Sequence, residues 1–295
     1  MTTVQTELRD AADVRTMSEL TDAHTMRRLG YAPTSTEVSG VGIDAGHAAP
    51  VVETLADETP VTLIFNGVPH AVMMATPADL EDFAIGFSLT EGIVERVTEI
   101  SRVSVVRYSR GIELMVEVPD ERAAALRERH RRLSGRTGCG ICGASSVDEV
   151  LRELPTVQSE TRIEAAAVTR AMHELAERQP LNAATGSVHA AAWASRDGAL
   201  THVREDVGRH NALDKVVGAV ANARSPAHDG FLVITSRGSF ELVQKAAILQ
   251  VGLLAAVSAP TALAVRVAHS VGLTLVGFAR DDRLTVYTHP TRIQY

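Results

Sequence analysis

The spacing of apolar positions changes along the chain, and each spacing predicts an element. Residues 61–74, VTLIFNGVPHAVMM, are two short apolar runs split by Asn66-Gly67. Both turn residues tolerate positive φ, which predicts a tight hairpin. TPADLEDFAIGFSLTEGIV, from Thr76, has helical composition. Thr76 is the expected N-cap, Pro77 suits the first turn, and Asp79, Glu81 and Asp82 sit at the positive end of the dipole. ISRVSVVRY and IELMVEV predict a second hairpin, so residues 50–120 form a small α+β unit. ERAAALRERHRRL, ending at Leu133, predicts a helix with a dense basic face. Ser146-Val147-Asp148-Glu149 fits a capping box, which opens a helix from Val147 to about Leu154.

The second half alternates. VTRAMHELAERQ predicts a helix with Val168, Met172, Leu175 and Ala176 on its apolar side. GSVHAAAWAS predicts a strand, NALDKVVGAVANA a helix and FLVIT a buried strand. FELVQKAAILQVGLLAAV reads as one long helix; TALAVRVA, LTLVGFA and LTVYT read as strands. The result is a layered α/β domain over residues 135–295, behind a smaller α+β domain over 49–134. Residues 1–48 are polar and read as a flexible extension, with order expected from near Val51. The apolar stretch Ala246–Val265 is interrupted by Gln250, Ser258 and Pro260, so it predicts core rather than a membrane span.

Composition narrows the function classes. Aromatics are only 4%, so Ala, Val and Leu must fill the core. A formal charge of −7 argues against a general nucleic-acid footprint. Two cysteines three positions apart build no disulfide framework, and MTTVQTELRD lacks the pattern of a signal peptide. The expectation is a cytoplasmic protein without a membrane span.

Those two cysteines are Cys139 and Cys142, in GRTGCGICGASS, residues 135–146. Gly135, Gly138, Gly140 and Gly143 leave the segment little steric restraint, which predicts a mobile loop. Arg127, Arg129, His130, Arg131, Arg132 and Arg136 precede or enter it, and nearby cations favour the nucleophilic thiolate. The pattern reads as a mobile, activated thiol arm; a metal half-site, a redox dithiol and an incidental pair remain alternatives.

Three polar clusters follow. EDVGRHNALDK carries Glu205, Asp206, Arg209, His210, Asn211, Asp214 and Lys215, which fits either a site or a capped helix end. FLVITSRGSF places Ser236, Arg237 and Ser239 at a helix start, where backbone N–H groups bind anions, but it lacks the lysine of a P-loop. In FARDDR, Arg280 and Arg283 suit phosphates, and Asp281 or Asp282 can accept from a guanine edge; a plain charged turn is the alternative. In GSVHAAAW, His189 stands where zinc deaminases carry His-x-Glu, but Ala191 occupies the acid position.

Taken in order, FNGVP, TPADLEDFAIGFSLTEGI, TGCGICG, GRHNALDKVVG, TSRGSFELVQKAA, SAPTALAV and GLTLVGFAR…VYTH resemble the formate dehydrogenase accessory sulfurtransferases, the FdhD family, over residues 50–295. The resemblance implies a cytidine-deaminase-like fold in the C-terminal domain. It implies that Cys139 bears a persulfide, with a role for Cys142 left open. Sulfur would come from a cysteine desulfurase and pass to a bis-(molybdopterin guanine dinucleotide) cofactor of molybdenum or tungsten. That cofactor is a client, destined for formate dehydrogenase, and no intrinsic metal is implied. Phe278, Ala279, Arg280, Asp281, Asp282 and Arg283 match the family's cofactor-binding stretch; Arg209, His210, Ser236, Arg237, Gly238 and Ser239 are further pocket candidates. A homodimer is implied as well. The rival readings are a cofactor chaperone without sulfur transfer, and a thiol–disulfide oxidoreductase or a metal site shared across a dimer.

Overall fold

The computed structural model describes residues 32–133, 154–223 and 229–295. Its first element contradicts the expected extension. β1 (Ser35–Asp44) and β2 (His47–Ala56) form an antiparallel hairpin in register from Ser35–Ala56 to Asp44–His47. Ala45 and Gly46 make the turn, with φ of 47° and 87°. The hairpin escaped the sequence reading because its apolar residues line no buried face, so no alternation marks it. Residues 1–31 lie outside the described residues.

β3 (Thr59–Phe65), β4 (Val68–Ala75), β5 (Arg102–Tyr108) and β6 (Gly111–Glu117) form the N-terminal sheet, in the order β4-β3-β6-β5. The predicted hairpin turn is present: Asn66 and Gly67 have φ of 44° and 79°. Asn66 also exchanges two hydrogen bonds of 2.9 Å with the backbone of Val118, which fixes β3 beside the end of β6. Val61, Leu63, Phe65, Val103, Val105, Ile112 and Leu114 point to one buried face. That face is covered by α1 (Leu80–Thr90), and each large buried side chain there contributes roughly 1.5–3 kcal/mol. α1 begins later than expected. Thr76 does not cap it; Asp79, at φ 53°, occupies the N-cap, because Thr76 is engaged in contacts with Asp206 and Val207. α2 (Asp120–Leu133) matches the predicted basic helix.

In the second half of the chain, α3 (Ala165–Glu177), α4 (Pro180–Thr185), β8 (His189–Ser195), β9 (Leu200–Asp206), α5 (Arg209–Asn222), β10 (Gly230–Ile234), α6 (Phe240–Ile248), β11 (Leu253–Ala256), α7 (Ala262–Val271), β12 (Thr274–Arg280) and β13 (Arg283–Val286) follow in turn. The sheet order is β13-β12-β11-β10-β8-β9, with β10, β11 and β12 parallel. A separate short pair joins β7 (Ile163–Glu164) to β14 (Ile293–Gln294). Strand residues alternate between two cores. Ala191, Trp193, Leu232, Ile234, Leu254 and Leu275 share the core of α5, α6 and α7. Ala192, Phe231, Val233, Ala255 and Val276 share that of α3. A sheet covered on both faces is the layered α/β arrangement the alternation predicted. On α3 the buried stripe is Val168, Ala171, Met172 and Leu175; Ala176 is exposed.

Two assignments reverse. The long helix ends at Ile248, since Gln250 takes φ 58°, and Leu253–Ala256 is a fully buried strand between β10 and β12. TALAVRVA is helix, not strand: the Thr261 side chain accepts from Ala264 N, and Gly272 ends the helix at φ 76°. A short, wholly apolar run has no period to separate the two states, and the valines favoured strand. The predicted helix after the capping box lies mostly outside the described residues.

The N-terminal sheet and the six-stranded sheet are joined where α1 crosses α5 at glycine, within one continuous hydrophobic core. A Cβ on Gly86 would collide with the carbonyl of Asp214, and one on Gly218 with that of Asp82. Two lysines are buried at this seam. Lys215 Nζ lies 2.7 Å from Asp206 Oδ2 and donates to Thr76 O, with both charged side chains fully enclosed. Asp206 also accepts from Thr76 N, Gly208 N and Asn211 Nδ2. Lys245 Nζ donates to Thr90, Glu91 and both carboxylate oxygens of Asp214. Burial pushes the Asp214 carboxyl up, opposed chiefly by Lys245. Burial also works to strip Lys245 of its proton, but Asp214 and Glu91 outweigh it and hold the ammonium up. The arrangement fits an ionised pair, since Asp214 only accepts here, from both Lys245 and Thr90.

Candidate functional site

α5, α6 and α7 each begin near the same edge of the C-terminal sheet. β10 and β11 run parallel into the loops that open α6 and α7, and β8 runs antiparallel from that edge. The ends of parallel strands in an open α/β sheet are the usual ligand crevice.

The contacts join these loops in series. His210 Nε2 lies 2.7 Å from Glu241 Oε2, and Arg209 Nη2 lies 3.8 Å from the same oxygen. The His210 contact is close but poorly aligned for a hydrogen bond; Nε2 of His210 and Nε of Arg209 are both buried without a hydrogen-bond partner. Ser239 is the N-cap of α6 and makes no side-chain cap bond; its Oγ is 3.5 Å from Glu241. Gly238 bridges to Pro260, and its carbonyl accepts from Thr261 N at 3.0 Å. Phe278 N donates to Ser258 O at 3.2 Å. Thus Arg209, His210 and Ser239 each reach Glu241, and Phe278 is linked to Gly238 through residues 258–261.

The Phe278–Arg283 segment is a bulge followed by a turn. Phe278, Asp281 and Asp282 have φ of 51°, 52° and 57°, and the register of β12 against β13 shifts between Gly277 and Arg280. The Arg283 guanidinium lies 6.0 Å from the Phe278 ring centroid. Asp282 is paired at 3.3 Å with His173 on α3, which leaves Asp281 as the freer acceptor. Ala279 is a core side chain. Arg280, Asp281, Asp282 and Arg283 are exposed.

The site carries charges of both signs, Arg209 and His210 against Glu241. The N-termini of α5 and α6 lack side-chain caps, so their first N–H groups have no side-chain acceptor. His189, at the start of β8, is held below the ordinary histidine range by burial and then by Arg209 and His210. Glu241 is held below the ordinary carboxylate range by its His210 contact, opposed by burial and aided by the charges of His210, Arg209 and Lys245. Among the described residues no group of three His, Cys, Asp or Glu side chains could hold a metal ion.

The remaining polar residues of EDVGRHNALDK do not line this crevice. Asp206, Asn211, Asp214 and Lys215 belong to the seam, and Glu205 accepts from Leu181 N and Asn182 N at the start of α4. A cavity of about 470 Å³ opens elsewhere, among Thr76, Asp79, Arg178, Arg204 and Glu205. Its arginines are engaged by Glu174, Asp79 and Asp82, so it offers an incoming anion little. Cys139 and Cys142, with the loop of residues 135–146, lie outside the described residues. Sequence reasoning missed Glu241 and the Ser258–Thr261 loop. The signal was present as Thr261 before a helical run, but the segment read as strand.

The chain resembles known proteins in family, sequence and fold. Residues 56–294 match the FdhD/NarQ family. The chain is 55% identical over 248 residues, 84% of its length and 88% of the relative's, to the sulfur carrier protein FdhD of Xanthomonas axonopodis pv. citri (strain 306). It is 49% identical over 247 residues, 84% and 89% of the two chains, to the sulfur carrier protein FdhD of Bordetella petrii. A crystal structure described as a "putative formate dehydrogenase accessory protein" from Desulfotalea psychrophila superposes with a TM-score of 0.72 at 26% identity, covering 89% of this chain and all of that one.

Proposed function

Since this chain belongs to the FdhD/NarQ family, we propose that it is a sulfur carrier in the maturation of formate dehydrogenase, working through a persulfide on Cys139. The observation that carries the reading is the 49–55% identity, over most of the chain, to proteins named as sulfur carriers. The donor is a cysteine desulfurase. The Cys139 thiolate attacks the outer sulfur of the donor's persulfide; a new S–S bond forms, the old one breaks, and the donor cysteine leaves as thiolate. No net oxidation is needed. The sulfur would then pass as sulfide to a bis-(molybdopterin guanine dinucleotide) client of molybdenum or tungsten; this takes two electrons, supplied by a thiol reductant that leaves as a disulfide, and Cys139 returns as thiolate. Cys142 assists, shares sulfur or resolves a mixed species. The protein acts in the cytoplasm as a homodimer; no helix among the described residues is long and apolar enough to cross a membrane.

The crevice suits the nucleotide ends of that client. The uncapped start of α6, with Ser236, Arg237, Gly238 and Ser239, and Arg209 suit a pyrophosphate. Phe278 offers a stacking face, Asp281 an acceptor for a guanine edge, and Arg280 and Arg283 further phosphate contacts. We keep the cytidine-deaminase likeness of the C-terminal domain as part of this reading. Deamination is not part of it, because Ala191 supplies no acid–base group.

The test is intact-protein mass spectrometry after incubation with a cysteine desulfurase and cysteine. Wild type should gain sulfur that reductant removes, and Cys139→Ala should gain none. Equal loading without Cys139 would overturn the persulfide role and favour a chaperone that only binds the cofactor.

A further inference from the structure

The positive groups of the crevice converge on a single carboxylate oxygen. Glu241 Oε2 lies 2.7 Å from His210 Nε2 and 3.8 Å from Arg209 Nη2. Ser239 Oγ is 3.5 Å from the same oxygen. Glu241 also stands in the first turn of α6, where the helix N-terminus favours a negative charge. Its carboxyl is held below the ordinary carboxylate range, first by the His210 contact, so it is charged at neutral pH. The two attractions available to an anion here, the α5 side chains and the start of α6, are thus already met from within the chain.

They are met poorly. The Arg209 contact is too long for a hydrogen bond, the His210 contact is misaligned, and the Ser239 contact is at the limit of reach. Arg209 Nε and His210 Nε2 stay buried without a hydrogen-bond partner. Asp214, by contrast, accepts from Thr90 and Lys245 at 2.7 to 3.0 Å. Glu241 therefore offsets charge without satisfying the donors around it, and a buried donor left unmade is unfavourable. A phosphate group carries several acceptor oxygens and can reach more than one donor at once. The Glu241 side chain is 37% exposed, so it has solvent to turn into when such a group arrives.

We propose that Glu241 is a resident counter-anion: it stands in the place of the ligand's phosphate and competes with it, which holds the affinity of the crevice down. A carrier must hand its client on, and unopposed positive charge around a phosphate would slow that release. This inference rests on the reading of the crevice as the site of the client's nucleotide end. It adds the residue that sets how tightly that end is held.

Calorimetric titration of the full chain with GDP and with inorganic pyrophosphate tests it. Glu241→Gln keeps the size of the side chain and removes its charge. The variant should bind both probes about tenfold more tightly than wild type, because a like charge beside the ligand is gone. Its affinity should also fall more steeply with added salt, since one more net positive charge faces the ligand. Glu241→Asp retains the charge and should stay near wild type. Glu241→Ala should tighten binding in the same direction, and decides the matter if the glutamine variant misfolds. Unchanged or weaker pyrophosphate binding by the charge-free variants, with wild-type circular dichroism, would overturn the proposal. So would weaker GDP binding beside unchanged pyrophosphate binding, since Glu241 would then be a partner of the guanine. In both cases GDP binding that depends on Arg209 would leave the crevice reading standing. Failure of wild type and every variant to bind either probe would remove the crevice reading, and this proposal with it.

Discussion

Two sets of charges sit within two turns of each other on α5, and they have opposite fates. Asp214 and Lys215 are buried, and each is met by an opposite charge and by hydrogen bonds that satisfy it. Arg209 and His210 keep part of their surface in solvent, crowd one carboxylate at Glu241, and each leaves a buried nitrogen unpaired. Buried polar groups in native proteins are nearly always satisfied, so the exceptions need an explanation. The seam is finished without a ligand and serves cohesion. The crevice leaves two buried nitrogens without a hydrogen-bond partner, which fits the anion site proposed above.

The sharpest way to break this contrast is at the seam. Lys215→Met strands Asp206 in the interior without its cation. It should cost about 3–5 kcal/mol, read as a fall in the urea midpoint. The paired change Asp206→Asn/Lys215→Met should recover part of that loss, because no uncompensated charge remains. Next comes Gly218→Ala. Its Cβ meets the backbone of Asp82, not a yielding side chain, so α1 and α5 must separate, at a cost of about 1–3 kcal/mol.

At the crevice the same measurement should barely move. Arg209→Ala should shift stability by no more than about 0.5 kcal/mol. Calorimetric titration with GDP, as a probe of the guanine nucleotide end, should nevertheless show affinity reduced by about tenfold, from the loss of a charge-assisted contact. Unchanged GDP affinity together with a large loss of stability would place Arg209 with the seam.

The smallest effect is in pH. His189 is depressed in the folded chain, so the unfolded chain binds its proton first as pH falls. Its contribution is present above the ordinary histidine range and is lost as pH drops through the folded value. Glu241 behaves likewise, with its share lost below the ordinary carboxylate range. His189→Gln should flatten the urea midpoint between neutral and mildly acidic pH, and Glu241→Gln should flatten it only at more acidic pH. Identical slopes in wild type and both variants would remove these side chains from the electrostatics of the crevice.

Much of this architecture was legible from residues alone, wherever a local rule has one outcome. Asn66-Gly67 makes its turn because both residues accept positive φ, and α3 follows its apolar stripe. The motifs around Ser236–Ser239 and Phe278–Arg283 fall in two loops that both contact residues 258–261. Other features have no local signature. EDVGRHNALDK reads as one polar cluster, yet long-range partners such as Thr76 and Thr90 divide it into seam and site. Thr76 reads as a helix cap, but its backbone and hydroxyl are taken by contacts more than a hundred residues away. Leu253–Ala256 becomes strand because a slot exists between β10 and β12, and residues 35–44 become strand because β2 offers a backbone ladder. Composition, turn chemistry and the cysteine motif are properties of neighbours in sequence, so the chain determines them by itself. Which charges are buried, which loops meet and which apolar face is left bare depend on partners brought together by folding, and only the tertiary structure decides them.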